Sequence, residues 1–126
     1  MACPDDLKYS KEHEWVKVEG DIVTAGVTDF AQQQLTDIVF VELPEKGKHV
    51  EAGRQMAVIE SVKSVSDVFS PVTGEVIEVN DKLSDSPDII NKDPYGEGWI
   101  AKVRMENKEE LNSLMSSQDY DNFTKK

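Results

Sequence analysis

The sequence predicts a small, mainly β domain with short helices and a helical carboxyl-terminal segment. Its 126 residues suit a single domain, 1–126. From Lys11 to Val79, short runs rich in Val, Ile and aromatics alternate with Gly, Pro, Asn and Asp turn signals. Beyond residue 106, Glu109, Leu111, Leu114 and Met115 fall at helical spacing, and Tyr120 and Phe123 continue the apolar face.

The first strand lies within Lys11–Val18. Glu19-Gly20-Asp21 turns the chain, and Ile22–Val27 returns as the second arm of a hairpin. Thr28 can cap a short helix over Asp29–Leu35, with Phe30 and Leu35 inward. Ile38–Leu43 reads as a buried strand stopped by Pro44, and Glu45-Lys46-Gly47 turns again. Gln55–Glu60, Val65–Phe69 and Glu75–Val79 are further strands. Asp85-Ser86-Pro87 predicts a cap with proline at the first helical position and a helical stretch through Ile90. Residues 91–98 read as loop and Trp99–Val103 as the last strand. Residues 1–6 are expected to be a loose tail, and about 106–126 a helical segment.

A hydrophobic fraction of 38% and a charged fraction of 31% are those of a soluble globular chain. A domain of this size buries roughly two thirds of its unfolded surface, so it folds without staples. Cys3 is the only cysteine, which excludes an intrachain disulfide and reads as a thiol on the tail. The net charge of −11 argues against nucleic acid and anionic membranes as partners, and favours a monomer that meets basic patches on other proteins. The amino terminus has neither a signal-peptide apolar run nor an Arg-rich transit character, which points to the cytoplasm, or to the mitochondrial matrix for a trimmed eukaryotic precursor. His13 and His49 stand apart with no ligand spacing, so no metal site is expected. Trp15 and Trp99 read as core residues.

One residue stands out. Lys63 is the only Lys or Arg from residue 55 through 81, and it sits between two predicted strands, at or near a hairpin tip. On spacing alone a solvated turn lysine is the commoner occurrence. Its neighbours Glu60, Asp67, Glu75 and Glu78 are acidic, and nothing nearby supplies a nucleophile, a metal cluster or a phosphate cradle. A Schiff-base role needs a desolvated lysine with a pKa well below ~10.4. Nearby carboxylates do the opposite and hold the ammonium charged. Lys63 is thus a poor catalyst and a good acceptor for a group attached by another enzyme, and no catalytic residue is expected in this chain.

"ESVKSVSDVFSPVTGEVIEVN" at 60–80 resembles the lipoyl-lysine segment of the glycine cleavage system H proteins. "SKEHEWVKVEG", "GVTDFAQQQLTDIVFVELPEKG" and "NKDPYGEGWIAKV" resemble the same family in the same order, so the likeness runs over nearly the whole chain. Ser64 and Val65 stand where that family often has alanine. Some of its members place a histidine on the short helix, where this chain has Phe30 and Gln34. The resemblance implies a flattened lipoyl/biotinyl-type β-barrel, a barrel-sandwich hybrid, with lipoic acid in amide linkage on Lys63. It implies a carrier that passes the aminomethyl group of glycine from a pyridoxal-phosphate-dependent glycine decarboxylase (P protein) to a tetrahydrofolate-dependent aminomethyltransferase (T protein). A flavin-containing dihydrolipoamide dehydrogenase (L protein) then reoxidises the arm, and a lipoate ligase or lipoyl/octanoyl transferase installs it. The family's matching positions for Glu14 and Asp67, with the acid-rich, base-poor surroundings of Lys63, add an expectation that Glu14 and Asp67, with Glu60 as a weaker candidate, hold the protonated amine of the loaded arm. A lipoate relay protein, or a lipoyl module of a 2-oxoacid dehydrogenase, is the alternative, although no flexible Pro/Gly-rich linker favours the latter.

Overall fold

A computed structural model describes residues 4–124. Cys3 and the start of the expected tail lie outside those residues. Within 4–6, the Pro4 carbonyl accepts a hydrogen bond from the Tyr9 hydroxyl (2.6 Å), and the Asp5 carboxylate accepts one from Ser117 (2.8 Å).

The hairpin read at residues 11–27 forms, with β2 at Glu14–Glu19 and β3 at Ile22–Val27, in register from Glu14↔Val27 to Glu19↔Ile22. Gly20 turns it with φ 66°, where a Cβ would be strained. β2 starts later than expected because residues 10–14 close a tight turn. Ser10 N–H donates to the Glu14 carbonyl (2.9 Å), His13 N–H donates to the Ser10 carbonyl (3.1 Å), and His13 itself takes φ 68°. A two-residue strand, β1 (Lys8–Tyr9), pairs with β2. Helix α1 (Asp29–Leu35) begins at Thr28, whose hydroxyl accepts from Ala31 N–H (3.2 Å). Leu35 is buried and Phe30 half-buried.

The remaining strands are β4 (Ile38–Glu42), β5 (His49–Val50), β6 (Gln55–Ser61), β7 (Val65–Phe69), β8 (Gly74–Val79) and β9 (Ala101–Met105). They make two antiparallel sheets, ordered β1-β2-β3-β9-β8-β5 and β4-β6-β7. Side chains of both inner faces meet in one core, including Val16, Val23, Ala25, Ile59, Val68, Val76 and Val103. This is the mainly β, two-sheet flattened sandwich with short helices that the resemblance implies. β4 is less buried than its composition suggests: Ile38 and Val41 face the core, while Val39 and Phe40 are exposed, because β4 is an edge strand with a bulge between Ile38 and Phe40.

A second cluster, Leu7, Tyr9, Trp15 and Tyr120, lies apart from the main core. Trp15 is 2% exposed and its indole N–H donates to the Pro94 carbonyl (2.9 Å). Gly26, opposite it on β3, makes the room, since a Cβ there would lie 2.9 Å from the indole.

The chain after residue 80 departs most from expectation. Instead of one helical stretch from Asp85 to Ile90 there are two single turns, α2 (Lys82–Asp85) and α3 (Ile89–Lys92). Ser86 ends the first by leaving the helical region (φ −138°, ψ 69°), as the ring of a following proline favours, and Pro87 precedes the second instead of starting it. The carboxyl-terminal segment is likewise not continuous. A 3-10 helix (Lys108–Ser113) and α4 (Ser117–Thr124) are separated where Met115 exchanges backbone hydrogen bonds with Tyr9, at 2.7 and 2.9 Å. That pairing with an edge strand is non-local and overrides the helical spacing.

Gly74 gives the fold its sharpest steric test. A Cβ there would lie 1.9 Å from the Arg104 carbonyl oxygen, a backbone atom of the paired β9. Gly74→Ala is expected to cost about 3 kcal/mol, read as a lowered urea midpoint with an unchanged slope.

Candidate functional site

Lys63 lies on the turn between β6 and β7 and is exposed. The turn is fixed from within by Ser61, a residue that sequence reading did not single out. Ser61 is 8% exposed, and its hydroxyl oxygen accepts from the N–H groups of Lys63 (3.3 Å) and Ser64 (3.1 Å). Ser61 N–H donates to the Ser64 carbonyl (2.8 Å), and Val62 N–H donates to the Asp37 carbonyl (3.0 Å) just before β4. The backbone under the lysine is therefore held at both ends, while the side chain is left to solvent. Among the described residues no carboxylate pairs with its ammonium.

A cavity of about 350 Å³ opens between the start of β2, α1 and the β6–β7 hairpin. Its apolar wall includes Phe30, Leu35, Ile59 and Val68, and its polar wall carries Glu12, Glu14 and Asp67. The structure thus brings two of the three expected acids, Glu14 and Asp67, to one groove. Glu60 is not among the lining residues; the register places it in a row with Phe40 and Val65 across the three-stranded sheet. Glu12 takes the third acidic place. Its spacing from Glu14 carries no such signal, because the tight turn at residues 10–14 brings it there.

The acids differ in setting. The Asp67 carboxylate accepts from the Gln55 amide (2.7 Å) and is exposed. Glu14 is 3% exposed, and its carboxylate accepts from the Ser10 hydroxyl (2.5 Å) and from Phe69 N–H (3.2 Å). Burial pushes its pKa up to about 7, against the pull of those two hydrogen bonds, and the negative charge of Glu12 adds to the rise. Near neutral pH Glu14 is therefore poised between its two forms, and a cation entering the groove draws the proton off.

His13 stands at the same mouth. It lines the cavity, packs on Phe30 (ring centroids 4.6 Å), and its Nδ1 lies 2.7 Å from the Tyr120 hydroxyl. Among the described residues no group of three or more His, Cys, Asp and Glu is placed to hold a metal ion, and no helix is long and apolar enough to cross a membrane.

Residues 7–126 match the family model described as Glycine cleavage H-protein. The chain is 57% identical over 122 residues to the glycine cleavage system H protein of Symbiobacterium thermophilum, covering 97% of this chain and 95% of that one. It is 58% identical over 124 residues to that of Coprothermobacter proteolyticus, covering 98% of both. The crystal structure of a glycine cleavage system H protein from Mycobacterium marinum superposes with a TM-score of 0.88 at 37% identity, over 95% of this chain and 97% of that one. With an ordered set of motifs, the two-sheet fold and these likenesses over nearly its full length, the chain belongs to the glycine cleavage H-protein family.

Proposed function

We propose that this chain is the covalent carrier of the glycine cleavage system, acting in the cytoplasm as a monomer, with lipoic acid in amide linkage to Nζ of Lys63. The observation that carries the reading is an exposed lysine, without an ion pair among the described residues, on a backbone-fixed turn beside a groove that is apolar on one wall and acidic on the other. When bound, the lipoyl group supplies a disulfide that opens to accept the aminomethyl fragment of glycine and a dithiol that is afterwards reoxidised. Those reactions belong to the glycine decarboxylase, the aminomethyltransferase and the dihydrolipoamide dehydrogenase, and the chain provides attachment, presentation and shelter. Ser61 keeps the attachment point from folding back, so tethering raises the local concentration at each partner to the millimolar range of short tethers.

The groove fits the arm. Asp67 lies four residues from Lys63, past the turn and into β7, so at most roughly 13 Å away at about 3.3 Å per residue, within reach of a lysine lengthened by an eight-carbon acyl chain. Phe30, Leu35, Ile59 and Val68 suit its hydrocarbon, while Glu14, Asp67 and the newly found Glu12 suit a terminal ammonium. Glu14 gives up its proton to meet that charge and takes it back when the groove empties. Glu60, on the neighbouring strand row, has no comparable position.

The test is to incubate the chain with lipoate and a lipoate ligase, locate the adduct by intact mass and fragmentation, and assay glycine–bicarbonate exchange in a reconstituted system. One lipoyl adduct, on Lys63, with exchange that depends on it, is expected. An adduct on Lys82 instead, or exchange indifferent to the adduct, overturns the reading. Passage of lipoate to a 2-oxoacid dehydrogenase without any exchange assigns the chain to relay.

A further inference from the structure

The tight turn that precedes β2 ties Ser10 to Glu14 by three hydrogen bonds. Ser10 N–H donates to the Glu14 carbonyl (2.9 Å), Glu14 N–H donates to the Ser10 hydroxyl oxygen (3.1 Å), and that hydroxyl donates to Glu14 Oε1 (2.5 Å). The turn is held from outside as well. His13 N–H donates to the Ser10 carbonyl (3.1 Å), and the His13 carbonyl accepts from Thr28 N–H (3.0 Å) while His13 keeps φ 68°. The Ser10 hydroxyl is therefore engaged as donor and as acceptor on a backbone with little freedom.

The other carboxylate oxygen, Oε2, accepts from Phe69 N–H (3.2 Å) on β7. Each oxygen thus takes one hydrogen bond and keeps a lone pair for a ligand. Ser10 is the only side chain among the described residues that bonds this carboxylate, and no cation there pairs with it. The Phe69 donor is backbone, which any residue but proline supplies. The Ser10 donor depends on the side chain. The titratable neighbours work against the charge of Glu14. Lining the cavity with it are Glu12 and His13 on its own segment and Asp67 on β7, while α1 contributes no titratable residue. Two of the three are acids, and burial holds His13 below its ordinary pKa. Burial and Glu12 favour the protonated carboxyl, whereas Ser10 and Phe69 N–H favour the carboxylate.

We propose that Ser10 is a positioning residue of the arm-holding groove: by donating to Oε1 it orients the Glu14 carboxylate at the cavity wall and favours the ionised form that receives the loaded arm's ammonium. The proposal rests on the carrier reading of that groove. A hydrogen bond to a charged group is worth most where water is excluded, and Glu14 is 3% exposed. Ser10 does not itself line the cavity, so it serves the arm without standing in its path.

Five chains test this: wild type, Ser10→Ala, Ser10→Thr, Glu14→Gln, and Ser10→Ala with Glu14→Gln. Alanine removes the donor, threonine keeps it, and glutamine removes the carboxylate on which it acts. The Glu14 carboxyl is titrated by 13C NMR in the chain without its arm, and loss of the aminomethyl group is followed in loaded protein. Ser10→Ala should raise the Glu14 pKa by roughly one unit. Near neutral pH the ionised fraction then falls about fivefold, and the group should be released roughly threefold faster. Ser10→Thr should match the wild type in both measurements. In the Glu14→Gln background, Ser10→Ala should leave the release rate unchanged, which a merely structural role for the serine would not do. An unmoved Glu14 titration in Ser10→Ala, a titration displaced equally in Ser10→Thr, or a release defect that adds to that of Glu14→Gln overturns the proposal. If wild-type loaded protein releases the group as fast as free aminomethyl-dihydrolipoamide, the groove reading itself fails, while the titration still decides whether Ser10 sets the state of Glu14.

Discussion

Lys63→Arg is expected to abolish exchange between glycine and bicarbonate in the reconstituted system, by at least about a hundredfold, and to leave the fold intact. Acylation needs a neutral amine as nucleophile, and a guanidinium with a pKa above ~12 does not supply one. The loss is of attachment and not of structure: the Lys63 ammonium makes no ion pair among the described residues, and the hydrogen bonds of the turn come from backbone and Ser61. An exposed substitution of this kind changes stability by no more than about 0.5 kcal/mol. The measurement is exchange activity beside a thermal melt. Exchange surviving in the arginine variant would show that the arm sits elsewhere, and a collapsed melt would show that the lysine is structural.

The second large effect falls on stability and runs opposite to function. Glu14 has a folded pKa of about 7 against an ordinary value of 4.5. The native state therefore binds its proton more tightly than the unfolded chain does. The associated stability is fully present below about pH 4.5 and is lost as pH rises through about 7. A difference of roughly 2.5 units at ~1.4 kcal/mol per unit amounts to about 3 kcal/mol at mildly alkaline pH. Glu14→Gln escapes that cost. Its amide oxygen can accept from Phe69 N–H, and its amide nitrogen can donate to the Ser10 hydroxyl once that hydroxyl turns. The variant is expected to melt roughly 10 °C above the wild type near pH 8, with the gap closing below about pH 5. Equal melting temperatures at both pH values would contradict the assigned burial cost. The same variant should shelter the loaded arm less well, because one counter-charge to the ammonium is gone. A carboxylate buried at the expense of stability is the kind of compromise that functional sites retain.

Much of this was legible in the chain itself. Alternation and turn residues placed the β2–β3 hairpin, α1 and the β6–β7 hairpin within a residue or a few, because those elements are decided by contacts between neighbours in sequence. Lys63 stood out because the nearest basic residues, Arg54 and Lys82, are far away in sequence, and the linked motifs around it marked the family. Elements that depend on distant partners were not legible. β1 and β5 are two residues long and exist only through pairing with β2 and β8. The helical spacing after residue 106 is interrupted by Met115 pairing with Tyr9, a contact across more than a hundred residues that no local pattern announces.

The groove shows the same division. Sequence by itself determined which lysine is available, the acidic character of its surroundings and the two-sheet scaffold beneath it. Only the tertiary structure decided which acids share a cavity, admitting Glu12 and setting Glu60 on another row. Only it raised Glu14 to about pH 7 and bound His13 to Tyr120. The physical reason is that composition and period are properties of neighbouring residues, whereas desolvation and hydrogen-bond order are properties of what the fold packs against them. A buried carboxylate and an exposed one look alike in the chain, and differ only once β2, α1 and α4 have closed around one of them.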